Sequence, residues 1–374
     1  MDKAFIFGVS VSGENFTDRV KETRRIKTNF ESGVNTILIS PRRIGKTSLV
    51  KRVCENITDS KIKTIYIDIY DCRDEYDFYN KFAEAVLKGT SGKLESLLND
   101  VKEFFSRISP KVTISPDFTQ EYSLSLGLSP KNYRPDEILD LPEKIAEKNG
   151  IKIIVCIDEF QQIGEFADSL TVQKRLRSVW QHQKLTSYCL FGSKKHMMEN
   201  LFQSRRMPFY QFGDTIHLGT ISTEDWVPFI KSRFEKQGKT ISDTLAAAIC
   251  DKVQNYSSYV QQLSWNVLID SEKEVSEKNI QNGVQELIAQ NSALFMQQID
   301  NLTSYQLNFI RAVCKGVHKG FSSQEVLDEH NLGSKSNIAR LQNVLTNKEL
   351  VEKRPEGIFL ADPVFQLWFT NEYL

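Results

Sequence analysis

Apolar β-type runs alternate with stretches of helical spacing through residues 35–221. Residues 35–39 (NTILI) form a short apolar run, and from Lys46 to Cys54 the side chains of Leu49, Val50 and Val53 fall on one side of a helix. The order is strand, loop, helix. A second β-rich run at 61–70 (KIKTIYIDIY) leads through the polar turn DCRDEYD into a helix over 76–88, which completes a βαβ unit. After a helix over 135–149, IKIIVCIDEF has the continuous apolar character of a strand buried on both faces, which places it centrally in a parallel sheet. The amphipathic stretch 169–184 precedes TSYCLFGS, another buried strand, and QFGDTIHLGTI at 211–221 supplies a last one. Helices between apolar strands argue for an α/β sheet covered on both faces.

Three segments depart from that rhythm. Between 89 and 134, KLESLLNDVKEFFSRI reads as a helix, and KVTISPDFTQEYSLSLGL alternates around a Pro-Asp turn, which predicts an inserted hairpin near 111–128. The apolar run from Ala4 to Val11 predicts an N-terminal strand; a secretory leader is disfavoured because Asp2 offsets Lys3 and no small-residue cleavage site follows. From Ser222 the strands stop, and Thr223 to Gln237, Ser242 to Gln254 and Ser257 to Ser271 carry helical periodicity with Ser or Thr near their starts. The remainder reads as helices at 304–314, 322–329 and 334–347, then ELVEKR and GIFLAD separated by Pro-Glu-Gly. Three helices and a hairpin make a winged helix-turn-helix. The expected domains are a core at 1–221, a helical lid at 222–300 and a winged helix at 301–374.

Composition narrows the picture. The 374 residues fit two or three domains at roughly 100–200 residues each. Basic and acidic side chains balance at 48 each, so binding to nucleic acid or an anionic membrane needs a local patch. The six cysteines show neither CxxC spacing nor the paired rhythm of a secreted scaffold, which suits reduced thiols in a cytoplasmic protein. Five histidines form no HExxH and none neighbours a cysteine, which disfavours a protein-held zinc site. No stretch approaches about 18 consecutive apolar residues, so no membrane span is expected.

The loop after the first strand reads Ser40-Pro41-Arg42-Arg43-Ile44-Gly45-Lys46-Thr47, which is G-x-x-x-x-G-K-[ST] with serine for the first glycine. Gly45 lets backbone N–H groups turn inward around phosphate oxygens at the start of the next helix, where Ser48 also lies. Lys46 then reaches the β- and γ-phosphates, and the Thr47 hydroxyl ligates Mg²⁺. Asp158, ending a buried strand, is the carboxylate that holds the hydrated Mg²⁺, and Glu159 polarises the attacking water. Ser193 closes the next strand, where a hydroxyl can bond the γ-phosphate or the water; a strand-ending serine is the ordinary alternative. Arg205 and Arg206 are candidates to stabilise phosphoryl charge from a neighbouring subunit, or are surface arginines. Arg42 and Arg43 either touch phosphate or dock on the helical or winged domain.

Several motifs in order resemble the archaeal-type ATPase family of the AAA+/STAND P-loop NTPases, found also in Bacteroidetes and related to replication-initiator ATPases. NFTDR at 15–19 is similar to its F-x-G-R-E element, with Asp18 for glycine and Val20 for glutamate, and this implies that Phe16 and Arg19 lie beside the adenine. PRRIGKTSL at 41–49, IDEFQ at 157–161, FGS at 191–193, YVQQLSW at 259–265 and ADPVFQLWF at 361–369 resemble its phosphate loop, Walker B strand, sensor strand, lid helix and carboxy-terminal DP-x-F-x-x-W. The resemblance implies an AAA+-like parallel sheet, a helical lid, a winged helix, and ATP as ligand. The family's PLYGR is Pro208-Phe-Tyr-Gln-Phe212 here, without its arginine, and the lid turn Asn255-Tyr-Ser-Ser258 lacks the glycine and proline of GHPYY. Slow turnover is the expectation.

Two functions remain open on the sequence. One is a switch ATPase whose nucleotide controls contact among core, lid and winged helix. The other is ATP-regulated binding of duplex DNA, with Ser334 to Asn347 as recognition helix and Lys335, Arg340, Lys348, Lys353 and Arg354 as its cations. Glu349, Glu352 and Glu356 lie among those cations, and packing of the winged helix on its own core, a protein partner or a second copy is the alternative.

Overall fold

The computed structural model describes residues 4–91, 113–116, 122–125 and 134–374, and the chain divides into two compact units. The sheet unit comprises Arg19–Arg42 and Lys46–Leu218; the helical unit comprises Met1–Asp18, Arg43–Gly45 and Gly219–Leu374.

In the sheet unit the strands are β1 (Thr36–Ile39), β2 (Ile62–Asp68), β3 (Thr113–Pro116), β4 (Tyr122–Ser125), β5 (Lys152–Asp158), β6 (Thr186–Gly192) and β7 (Asp214–His217). Five of them form a parallel sheet in the order β2-β5-β6-β1-β7, and β3 pairs antiparallel with β4 inside the segment read as a hairpin. β1 and β6 are buried at every position and β5 at all but Lys152, which is why their β-branched residues run without polar alternation. Register sets Asp68 beside Asp158. The helices of this unit are α1 (Val20–Ser32), α2 (Lys46–Glu55), α3 (Glu75–Thr90), α4 (Pro135–Leu139), α5 (Leu141–Asn149), α6 (Ser169–Trp180) and α7 (Lys195–Gln203). The single helix expected over 135–149 is two, because Pro142 has no N–H to continue the first and begins the second. The helix read at 93–108 lies outside the described residues.

An aromatic cluster fills one side of the sheet. Trp180 stacks on Tyr188 at 3.9 Å between ring centroids, and Phe160, Phe82, Phe209 and Phe212 surround the indole.

The helical unit contains α8 (Thr223–Lys236), α9 (Asp243–Lys252), α10 (Ser257–Asp270), α11 (Glu277–Ile299), α12 (Ser304–Cys314), α13 (Gln324–Glu329), α14 (Lys335–Asn347), the hairpin β8 (Val351–Arg354) and β9 (Gly357–Leu360), and α15 (Pro363–Tyr373). Hydroxyl caps at Ser222, Ser242, Ser276, Thr303 and Ser323 start five of these helices. Four helices of the chain, α1, α7, α11 and α15, have no counterpart in the sequence reading. The N-terminal strand does not form. Phe5 is buried instead against Phe229 and Phe234, and the Ile6 N–H donates to Gln261 at 2.9 Å, so packing rather than strand pairing explains the apolar run. α15 closes the winged helix onto α11, with Phe365 against Phe295 at 5.5 Å and the Trp368 indole donating to the Ser292 hydroxyl at 3.1 Å. Among the described residues, no helix is long and apolar enough to cross a membrane.

Candidate functional site

β1 delivers the chain, buried, to Ser40, whose hydroxyl donates to the Pro41 carbonyl at 3.0 Å. Lys46 opens α2 and is buried to 6 % exposure, its ammonium donating to the same Pro41 carbonyl at 3.0 Å. The loop is thus closed by its own lysine. Thr47 follows on α2, and its hydroxyl donates to Asp158 Oδ2 at 2.7 Å. β5 carries Asp158 to the end of the sheet, where the Tyr66 hydroxyl from neighbouring β2 donates to the same oxygen at 2.7 Å and the Glu159 N–H donates to Oδ1 at 2.8 Å. All of Asp158's hydrogen-bond donors here are neutral, and burial raises its pKa above the ordinary carboxylate value despite them.

Glu159 is left-handed at φ 55, which turns the chain out of the strand into the 3-10 turn Phe160–Glu165. Its Oε2 accepts from the Ser193 hydroxyl at the end of β6 at 2.9 Å and from the Gln161 amide. Thr47, Asp158, Glu159 and Ser193 therefore come together, as the sequence pattern requires, with Ser40, Pro41, Lys46 and the buried Ser48 beside them on the loop and α2. Tyr66 and Gln161 were not singled out as site residues from sequence; a tyrosine in an apolar strand carries no distinctive local signal, and Gln161 entered only as the last residue of the IDEFQ motif.

In the helical unit, loop residues Arg43, Ile44 and Gly45 meet the lid and the winged helix. Gly45 stands at φ +94, open to solvent but in a conformation a side chain would strain, and Arg43 is left-handed at φ 66. The Arg43 guanidinium pairs with Asp362 at 2.6 Å and lies 4.5 Å from the Tyr259 ring centre, while the Tyr259 hydroxyl donates to the same Asp362 oxygen at 2.6 Å. Asp362 also caps α15, accepting from the Val364 and Phe365 N–H groups at 2.9 and 3.1 Å. The lid turn adds the Ser258 N–H to the Arg43 carbonyl at 3.1 Å and the Ser257 hydroxyl to the Ile44 carbonyl at 3.2 Å. Arg43 is therefore docked on Asp362 and Tyr259 in this structure. Without glycine and proline, that turn sets Gln254 and Asn255 left-handed, at φ 48 and 59.

The remaining candidates are dispersed. Arg19 is a buried left-handed residue before α1, paired with Glu22 at 3.3 Å, and Phe16 is half-buried after a short 3-10 turn. Arg42 is exposed. Arg205 and Arg206 are exposed in the turn after α7 and pair with no described residue.

Comparison with known proteins agrees with the fold. A family described as the ATPase domain predominantly from Archaea matches residues 16–244, and one described as a probable winged helix domain matches 293–371. No curated protein matches the chain. The Walker-type ATPase of Pyrococcus abyssi has a similar structure, with TM-score 0.72 at 15% identity over 98% of this chain and 100% of that one. The ORC2 protein of Aeropyrum pernix, solved as ADPNP and ADP complexes, gives TM-score 0.57 at 14% identity over 96% of each chain. The ORC1 protein of Aeropyrum pernix in complex with DNA gives 0.51 at 13% identity over 96% of this chain and 94% of that one. The chain belongs to the family of ATPase domains predominantly from Archaea and carries a winged helix domain at its C-terminal end.

Proposed function

We propose that this chain is a switch ATPase, which binds ATP with Mg²⁺ at the phosphate loop, hydrolyses it slowly and passes the nucleotide state to the winged helix. The observation that carries the reading is the buried Asp158 carboxylate, bonded to the Thr47 hydroxyl and adjacent to Glu159, with no ion-pair partner among the described residues. A carboxylate and a hydroxyl at 2.7 Å are hard oxygen donors that suit Mg²⁺, and Thr47 and Asp158 are the residues that would hold it. The cation, when bound, neutralises phosphate charge. Lys46 leaves the Pro41 carbonyl for the phosphates, Glu159 takes the proton of the attacking water, and Ser193 steadies that carboxylate.

The contacts of Arg43 and Ile44 with Ser257, Ser258 and Asp362 support the switch, since loop residues that adapt to nucleotide are bonded to the lid turn and the first turn of α15. The proposed division is core 1–221, lid 222–300 and winged helix 301–374, and six free thiols favour a reducing compartment such as the cytoplasm. Exposed Arg205 and Arg206 are the candidates to reach a nucleotide on a second copy.

A second reading, duplex DNA as partner, draws on exposed Lys335, Arg340, Lys348 and Lys353 and on the DNA complex of the similar ORC1 protein. Arg354 weighs against it, being paired with Glu352 and lying 4.8 Å from the Phe359 ring centre. Salt-dependent binding of a DNA duplex decides between the readings.

The test of the ATPase reading is stability. Mg-ATP at a hundredfold excess over Kd should stabilise the fold by about 2.7 kcal/mol, and Lys46→Ala should remove most of the melting shift. An equal shift in the variant would place the nucleotide elsewhere. Turnover slower than about one ATP per second suits a state that must persist to be read.

A further inference from the structure

We infer that Gln161 is a positioning residue for Glu159, holding one carboxylate oxygen so that the other faces the water to be activated. The inference rests on the ATPase reading and deepens it.

The left-handed turn at Glu159, φ 55, and the 3-10 turn that follows return Gln161 to hydrogen-bond reach of the residue two before it. Gln161 is 2% exposed, and its amide N–H donates to Glu159 Oε2, the oxygen that also accepts from Ser193 at 2.9 Å. Glu159 Oε1 accepts from no described residue. Two donors on one oxygen fix both the rotamer and the facing of a carboxylate, and leave its second oxygen as the proton acceptor.

The seat for Gln161 is built into the neighbouring strand. Gly192 precedes Ser193 at the end of β6, and a Cβ there would lie 1.8 Å from Gln161 Oε1 and 3.0 Å from its amide carbon. A Cβ at 192 would force the Gln161 amide out of this position. Gln161 Oε1 is buried without a hydrogen-bond partner among the described residues, a cost that purely structural packing gains nothing from. The Glu159 contact at the other end of the same amide accounts for keeping a glutamine there. Ser193, read from sequence as a partner of the γ-phosphate or the water or as an ordinary strand-ending serine, acts in this arrangement as the second donor to Glu159.

Gln161→Met keeps the length of the side chain and removes the donor. Its Mg-ATP melting shift and KM should stay within about twofold of the parent, while kcat falls about 10- to 100-fold, inside the range that positioned general bases supply. In a Glu159→Gln background, Gln161→Met should change the residual rate by less than about twofold, because a residue that acts through Glu159 has nothing left to orient. Gly192→Ala, which displaces the amide, should reproduce the kcat loss. An unchanged or raised kcat in Gln161→Met overturns the inference, and so does an equal loss in the Glu159→Gln background, which marks a packing fault. Failure of the parent to show Lys46-dependent hydrolysis overturns the ATPase reading, and the positioning role with it.

Discussion

Two aspartates, Asp158 and Asp362, each gather three or more hydrogen bonds at an element boundary, yet they are prepared for opposite ends. Asp158, at the end of β5, is 5% exposed and faced by the Thr47 hydroxyl, the Tyr66 hydroxyl and the Glu159 N–H, all neutral. Asp362, before α15, is half-buried and already holds its cation, Arg43, with Tyr259 and two backbone N–H groups completing its shell. A buried carboxylate met only by dipoles pays a desolvation penalty that an incoming cation relieves. One met by a guanidinium is a finished joint. The difference separates a group kept for a ligand from a group kept for structure.

Removing the charge at each place should therefore have unlike effects. Asp158→Asn keeps a side chain that the two hydroxyls can bond, so the nucleotide-free protein should melt no lower than the parent, while hydrolysis falls by about 10³-fold or more through loss of metal-assisted charge stabilisation. Calorimetry with and without Mg-ATP, beside a steady-state assay, reads both; a large drop in melting temperature without nucleotide would make Asp158 structural. Asp362→Ala should destabilise the helical unit by about 1–2 kcal/mol in urea unfolding, since it removes a helix cap and a partly exposed ion pair together. Asp362→Asn retains the cap and should cost about 0.5 kcal/mol; equal losses would mean that the Arg43 charge pair, rather than the cap, dominates.

Asp214 supplies the smallest effect. Its pairing with exposed Arg25 holds its pKa below the ordinary value of 3.8, so the stabilisation is present above that value and is lost as pH falls through the lower pKa of the folded state. Arg25→Ala should lower stability at neutral pH by less than about 0.5 kcal/mol, a gap that closes in acid. A gap that widens below pH 4 would reverse the sign.

The phosphate loop and the Walker B strand were legible because each is a local pattern: NTILI runs into the loop, and IIVCID ends in its acid. What escaped depends on distance. Tyr66 reaches Asp158 from 92 positions away and Arg43 reaches Asp362 across 319, so no window of sequence holds either pair. Gln161 escaped despite its nearness, because its contact needs the left-handed turn at Glu159, which a glutamate does not advertise. The error at residues 4–11 was of another kind, since an apolar run specifies burial without saying whether a strand is there to pair with it. The helix α1 was missed because charged and amide residues dilute its apolar face to two buried positions, Ile26 and Phe30.

The face-to-face contact of Trp180 with Tyr188 makes the sheet unit optically distinct. Of the four tryptophans in the sequence only Trp180 belongs to that unit, whereas Trp226, Trp265 and Trp368 all belong to the helical one. Indole emission from the parent chain is therefore a mixture weighted toward the helical unit. Trp180→Phe leaves emission from the helical unit alone, and subtracting its unfolding curve from the parent's isolates the signal of the other. A single chain can in this way report separately on the melting of each half as nucleotide is titrated, without any attached dye.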